Sequence, residues 1–258
     1  MRLSAVIITL NEEKDLPGCL KSLKDFADEI VLVDSGSTDK TIDIAKNFKV
    51  KVFFRKFDNY ANQKNYAASK ASGDWILSVD ADEEIEAELA EEIESVIKKQ
   101  KAKNNKREGK IVAYTIPRKN IILGKYIKHT RWQPELDRHV WLWRKGVGEW
   151  VGEVHEEFVV KGNIGRLEHH KIHYQYETVG QFLGMMNIYS EIEATQKIKN
   201  GNKFSLARMF FDPEYNFFVR YFYRLGFLDG WRGFILSYLM AIYHLIVWVK
   251  VWEKSGYR

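Results

Sequence analysis

Glu29 to Phe48 reads EIVLVDSGSTDKTIDIAKNF. The first six residues are an apolar run closed by an acid, the next few are small and polar, and a helical pattern begins near Thr38. In order these are a strand, a turn and a helix. The pattern repeats on both sides: Ser4–Leu10 reads as a strand and Glu12–Phe26 as a helix, then Lys51–Arg55 as a strand, Tyr60–Ser72 as a helix and Asp74–Asp80 as a strand. Strict alternation of this kind means βαβ units and a largely parallel sheet with helices on both faces. Runs such as Val6-Ile7-Ile8 and Ile30-Val31-Leu32-Val33 are apolar throughout, as strands covered on both faces must be. In such sheets ligands bind beyond the carboxyl ends of the strands.

Composition narrows the class. With 258 residues, 45% hydrophobic and 29% charged, the chain is globular and large enough for one α/β domain with an appendage. A single cysteine, Cys19, excludes an intrachain disulfide framework and a thiolate zinc cluster, and suits the cytoplasm. No signal peptide is read at the start, where Leu3 to Leu10 runs straight into Asn11-Glu12-Glu13. The net charge of +5 is a modest excess of 40 basic over 35 acidic residues, and the basic run Lys98–Lys110 follows an acidic stretch, Glu83–Glu94. Acids early and bases late suit one solvated helix and its exit loop, so no nucleic-acid partner is assigned.

The polar groups at the ligand edge are Thr9-Leu10-Asn11-Glu12, Asp34 to Asp39 and Asp80-Ala81-Asp82-Glu83. There is no GxGxxG after the first strand and no GxxxxGK[ST], so the phosphate cradles of dinucleotide oxidoreductases and P-loop nucleotidases are missing. Carboxylates holding a metal are the physical alternative. Asp80 and Asp82, two apart past an apolar strand, project to one side if the backbone stays extended, and two hard oxygen ligands suit Mg²⁺ or Mn²⁺. The same residues could instead open a helix, where acids cap and complement the dipole. Asp34 to Asp39 likewise suits a turn and N-cap.

Ile7–Glu12, Val31–Asp39 and Leu77–Glu83, in that order, resemble the family 2 glycosyltransferases of the GT-A fold. Gly152-Glu153-Val154-His155-Glu156 resembles the VHE segment of a subgroup that includes lipopolysaccharide-core β-glucosyltransferases. Arg138–Arg144 is similar to that subgroup's RLFRR strand, with departures at His139 and Trp141 to Trp143. The resemblance implies a GT-A, Rossmann-like catalytic domain over residues 1–200, with a nucleotide-binding half at 1–100 and an acceptor half at 110–200. It implies Thr9, Asn11 and Glu12 around the base and ribose, Asp34 at a uracil ring with Ser35 beside it, and Lys64 and Asn65 at the nucleotide. Asp80 would meet the ribose or the metal, Asp82 the metal, and Glu156 would be the base that deprotonates the acceptor hydroxyl. His155 would orient that base or approach the metal, and Glu153 would lie on the acceptor side. Without the resemblance, Glu153 to Val160 reads as an exposed strand of alternating charge. Trp132, on a loop, is a second acceptor candidate because an aromatic face stacks on sugar C–H surface. His169, His170 and His173 read as a polar strand edge or loop.

The chain changes character at Phe204: from there on lie 17 of its 36 aromatic residues. Gly233 to Val249 carries no formal charge, at the short end of what spans a bilayer, and Arg208, Arg220 and Arg224 interleave with aromatics upstream. That pairing suits helices lying in a layer of anionic headgroups. The expectation is a catalytic domain followed by a helical tail, 201–258, that attaches peripherally to the cytoplasmic face of the inner membrane through residues 204–252. The implied activity is inverting, metal-dependent transfer of a sugar from a nucleotide-diphosphate donor, such as UDP-glucose, to a lipid-linked glycan such as the lipopolysaccharide inner core. The alternatives are a sugar nucleotidyltransferase, which would need a Gly-rich basic loop where Asn11-Glu12-Glu13 stand, and a non-catalytic membrane adaptor.

Overall fold

The computed structural model describes residues 1–102, 110–152 and 156–256. The alternation expected at the start is present: β1 (Leu3–Thr9), α1 (Leu16–Leu23), β2 (Glu29–Asp34), α2 (Thr41–Asn47), β3 (Lys51–Phe54), α3 (Tyr60–Lys70) and β4 (Trp75–Ser78). α1 begins at Leu16 and not at Glu12, because Asn11 takes a left-handed backbone (φ 57°) and the Glu12 and Glu13 amides donate to Thr41 Oγ1 and Asp39 Oδ2 at 2.8 and 3.1 Å. Pro17 in the first turn then suits the new start. The four strands are parallel in the order β3-β2-β1-β4, with Thr9 beside Asp34 and Val6 beside Ser78. Every residue of β4 and nearly all of β1 and β2 are buried, which is why their sequences are continuously apolar. Chain order reverses between β1 and β4, so the loops after them part and leave a crevice at the ligand edge.

Beyond β4 the sheet becomes mixed. β5 (Glu83–Ile85) leads to α4 (Ala87–Ala102), then come β6 (Ile111–Ile122), β7 (Lys125–Tyr126), β8 (Arg138–Arg144), β9 (Gly148–Val151), β10 (Glu157–Val160), β11 (Asn163–Arg166) and β12 (Lys171–Tyr176). β8 runs antiparallel beside β4 and β6 antiparallel beside β8, while β12 pairs antiparallel with β5. β9 and β10 form a separate antiparallel pair. The α/β class read from the sequence holds. The acidic helix, however, starts at Ala87, because Glu83 to Ile85 is spent on pairing with β12. Of the basic run, residues 103–109 lie outside the described residues.

Packing divides the chain into two compact units, Met1–Arg118 with Asp137–His173, and Lys119–Leu136 with Tyr174–Arg258. The division by composition at residue 200 follows a different line: α5 (Val179–Lys199) packs on α7 (Trp231–Lys254) in the second unit. α5 opens with a capping box, Thr178 and Gln181 each satisfying the other's backbone N–H. α6 (Leu206–Phe218) continues into a π-helical turn, Val219–Tyr223, and a 3-10 turn, Gly226–Asp229, before α7. α7 enters so close to the 3-10 turn that a Cβ on Gly233 would overlap the Gly226 carbonyl. Its buried face carries Leu236, Ser237, Ala241, Val247 and Trp248, while Trp231, Phe234, Tyr238, Leu245, Val249 and Trp252 form an exposed apolar stripe along the other. Phe211, Tyr215, Phe218 and Phe222 continue an exposed aromatic stripe on α6 and the π turn.

Candidate active site

Three loops meet beyond β1, β2 and β4. Asn11 ties the first two together: its amide N–H donates to Ser37 Oγ at 2.8 Å and its Oδ1 accepts from the Thr38 amide at 2.8 Å. Asp34 is buried and accepts four bonds, from Thr9 Oγ1, the Gly36 and Ser37 amides, and Ser37 Oγ. Those fill a carboxylate's acceptor positions, so Asp34 here holds the turn, the reading its spacing also allowed. Its expected contact to a base ring would require the Ser37 hydroxyl to turn away. Ser35 Oγ accepts from Gln63 Nε2 at 3.0 Å, joining this turn to α3.

Past β4 the backbone does not stay extended. The Glu83 amide donates to the Asp80 carbonyl at 3.0 Å, so Asp80-Ala81-Asp82-Glu83 is a tight turn, and the Cys19 thiol lies 3.6 Å from the same carbonyl. Asp80 Oδ1 is 3.4 Å from Lys64 Nζ, and Asp82 Oδ2 is 3.4 Å from His173 Nε2. Burial opposes the Asp80 charge, yet Lys64, Lys171, Arg118 and His173 hold its carboxyl well below the usual range. Burial and the charges of Asp82, Asp15, Asp39 and Asp80 push Glu12 up to about 7. The loop edge thus carries more negative charge than its own side chains balance.

That excess, together with two hard oxygen donors on one turn, fits Mg²⁺ or Mn²⁺ whose remaining ligands are diphosphate oxygens and water. It does not fit a cage made by protein alone, since among the described residues no group of three or more His, Cys, Asp or Glu side chains converges.

Glu156 arrives from just before β10, 92 positions from Lys64, and its Oε1 accepts from Lys64 Nζ at 2.9 Å. Lys64 is 4% exposed; burial disfavours its charge, but Asp80 and Glu156 outweigh that and its pKa is raised. Burial, Glu156 and Asp80 also push the Tyr60 phenol up, so Tyr60 shares the site. Behind it lies a buried charge cluster. Lys171 Nζ is 2.5 Å from Glu83 Oε2, Arg118 reaches Glu83 Oε1 at 3.4 Å and Asp137 at 2.9 Å, and the Trp141 ring has Lys171, Lys64 and Arg118 at 3.7, 5.0 and 5.1 Å. An aromatic face among three cations is a favourable lining.

Of the residues read from sequence, Thr9, Asn11, Glu12, Asp34, Ser35, Lys64, Asp80, Asp82 and Glu156 lie at this edge of the first unit. Asn65 does not face it with a free amide: its Oδ1 accepts from the Trp150 amide at 2.9 Å and its Nδ2 donates to the Trp150 carbonyl at 2.8 Å, clamping β9 to α3. Trp132 belongs to the second unit, half-buried beside Phe182, with the Arg220 guanidinium 5.2 Å over its ring. Glu153 and His155 lie outside the described residues. Sequence reading placed Glu83 at the ligand edge and His173 on a polar strand edge or loop without a site role, and it missed Tyr60, Arg118 and Lys171. The one signal was Lys171 and His173 two apart on a strand, hence on one face.

Residues 4–146 match the family model described as glycosyl transferase family 2. An uncharacterized glycosyltransferase of Rickettsia typhi is 31% identical over 98% of this chain and 88% of its own length. The lipopolysaccharide core biosynthesis glycosyltransferase LpsC of Rhizobium meliloti is 29% identical over 99% of this chain and 94% of its own. Among solved structures, S. aureus TarS 1–349 in complex with UDP is 17% identical, with a TM-score of 0.48 over 74% of this chain and 64% of that one.

Proposed function

The chain belongs to glycosyl transferase family 2, and from that premise we propose that it is a metal-dependent inverting hexosyltransferase acting on a UDP-sugar such as UDP-glucose. The acceptor is a lipid-linked glycan such as the lipopolysaccharide inner core, the process named for the Rhizobium relative. The observation that carries the reading is the buried Lys64 ammonium, which draws Glu156 to within one side chain of Asp80. A single-displacement transfer needs a carboxylate base and a donor-side carboxylate around one reacting centre. Glu156 takes the proton of the acceptor hydroxyl, the acceptor oxygen bonds the anomeric carbon, and the bond from that carbon to the diphosphate breaks. Attack opposite the leaving group inverts the configuration.

On the donor side, residues 1–100 hold the nucleotide. Thr9, Asn11, Glu12 and Ser35 line the base and ribose, and Asp34 shapes their loop. Asp80 and Asp82 would hold Mg²⁺ or Mn²⁺, whose charge offsets that of the departing diphosphate. Lys64 holds Glu156 and Asp80 in place. Residues 110–200 would serve the acceptor.

The exposed stripes of α6 and α7 support attachment to the cytoplasmic face of the inner membrane through residues 204–252. α7 is long and apolar enough to cross a bilayer by length and composition, at a mean hydropathy of 1.8. Trp248 Nε1, however, donates to Asp212 at 2.7 Å and Tyr243 OH to Glu193 at 2.6 Å, and partners that polar on one face suit a helix lying in the headgroup layer. The test is transfer of labelled sugar from UDP-sugars to lipopolysaccharide truncated at the inner core. Glu156→Gln should lower kcat by about 10²–10⁴ while donor binding persists. Transfer at wild-type rate by this variant would remove Glu156 as the base.

A further inference from the structure

We propose that the second unit contains an oxyanion site built around Arg220, which takes the phosphate of a lipid headgroup. Arg220 stands on the π-helical turn, and such turns recur at functional sites. It is 6% exposed, and its Nε and Nη1 find no hydrogen-bond partner among the described residues. A buried guanidinium normally has an anion beside it, because burial of an unpaired cation is unfavourable. Here the neighbouring charge is a second cation, Arg131; burial and Arg131 together pull Arg220 down to about 10. The Trp132 ring, 5.2 Å from the guanidinium, offers a cation–π face but no oxygen to accept its N–H groups.

The surroundings are rigidly made. The Lys128 and His129 amides donate to the Asp229 carboxylate at 3.1 and 2.9 Å, and His129 Nδ1 lies 3.2 Å from it, so that acid is already committed. The Thr130 amide donates to the Arg224 carbonyl at 3.1 Å, which locks the loop bearing Arg131 and Trp132 to the turn after Arg220. Thr130 and Leu225 both hold left-handed backbones (φ 68° and 56°), and a Cβ on Gly226 would lie 2.7 Å from the Arg220 carbonyl oxygen. Strain of this kind persists where the surrounding structure over-determines it and is concentrated at ligand sites. The rim supplies the choice of ligand: Phe218, Phe222 and Tyr223 are exposed around the turn, and an apolar rim with a cation behind it matches the phosphate level of a membrane. This last step rests on the membrane attachment proposed above; the oxyanion chemistry does not.

The experiment uses the full chain in two arms. In the first, melting temperature is followed against inorganic phosphate, with chloride at matched ionic strength as control. In the second, binding is measured to vesicles of phosphatidylcholine alone and of phosphatidylcholine with phosphatidylglycerol. Wild type should be stabilised by phosphate and bind the mixed vesicles better. Arg220→Met should melt at or above the wild-type temperature without phosphate, lose the phosphate response and bind mixed vesicles at least about tenfold less tightly, the loss of one charge-assisted hydrogen bond. Phosphatidylcholine binding should fall less, because the phosphate of that headgroup is already neutralised by its own choline cation. Should Arg220→Met fail to fold, Arg131→Gln, which leaves the Arg220–Trp132 stack intact, should still weaken both responses. A phosphate response without vesicle discrimination would keep the oxyanion site and reject the lipid source, and absence of all vesicle binding would reject only the membrane reading. A wild type indifferent to phosphate, with variants that bind both vesicles as it does, would overturn the proposal.

Discussion

Replacing Lys171 with Met is the perturbation that most directly tests the electrostatic support behind the carboxylate turn. Lys171 and Glu83 are both fully buried; Nζ lies 2.5 Å from Glu83 Oε2, 3.3 Å from the Ser78 carbonyl oxygen and 3.7 Å from the centre of the Trp141 ring. Burial pulls the Lys171 pKa below its ordinary value even though Glu83 and Asp80 favour its charge. Met fills nearly the same space without charge, leaving Glu83 with the Asp80 amide at 2.9 Å and Arg118 at 3.4 Å. Removing one member of a buried pair is unfavourable by about 3–5 kcal/mol, and the Asp80 amide and Arg118, which stay with Glu83, hold the loss toward the lower end of that range. In a chain of this size that corresponds to a fall in Tm of about 6–20 °C. Exchanging Glu83 for Met as well should restore a large part of the loss, because no charge is then stranded. Urea unfolding followed by tryptophan fluorescence suits the assay, with Trp141 beside the altered group. A Lys171→Met protein within about 1 kcal/mol of wild type would refute the reasoning.

Acid sensitivity should trace to Glu29, where burial raises the pKa but hydrogen bonds from Lys51, Ser4 and Ser72 bring it down to about 2. Because the folded value lies below the unfolded one, this stabilisation is complete above pH 4.5 and lost as pH falls toward 2. Glu29→Gln should therefore be less stable at pH 7 by at most about 3 kcal/mol, with the gap closing in acid, as read from denaturation at several pH values. On the exposed stripe, the triple change Phe211→Ser, Tyr215→Ser and Phe218→Ser should leave the melting temperature near wild type. Co-sedimentation with vesicles should weaken by at least about tenfold, since each ring forfeits apolar burial of about 1 kcal/mol or more.

How much was legible follows from how far apart the partners lie in the chain. β1, β2 and β4 could be read to within a residue or two at each end, because doubly covered strands are largely apolar and their loops carry short-range turn chemistry. Glu83 was read as helix because its neighbours are acidic; its buried bond to Lys171, 88 positions away, makes it strand instead. Asn65 looked like a ligand contact beside Lys64, yet its amide is spent on the backbone of Trp150, 85 positions on. Trp141, a departure from the family's strand pattern, is the face against which Lys64, Arg118 and Lys171 lie. Those pairings depend on register between distant strands, to which local periodicity is blind.

The central claim is that the edge beyond β1, β2 and β4 binds a nucleotide sugar through a metal on the Asp80–Asp82 turn. It is tested most directly by the melting temperature of the purified chain against a panel of nucleotide sugars with Mn²⁺, with Mg²⁺ and with chelator. The account predicts that a UDP-sugar raises it only with metal, and that Asp82→Ala folds but loses the response. Stabilisation of wild type by no nucleotide sugar, or equal stabilisation of wild type and Asp82→Ala in the presence of chelator, would contradict it.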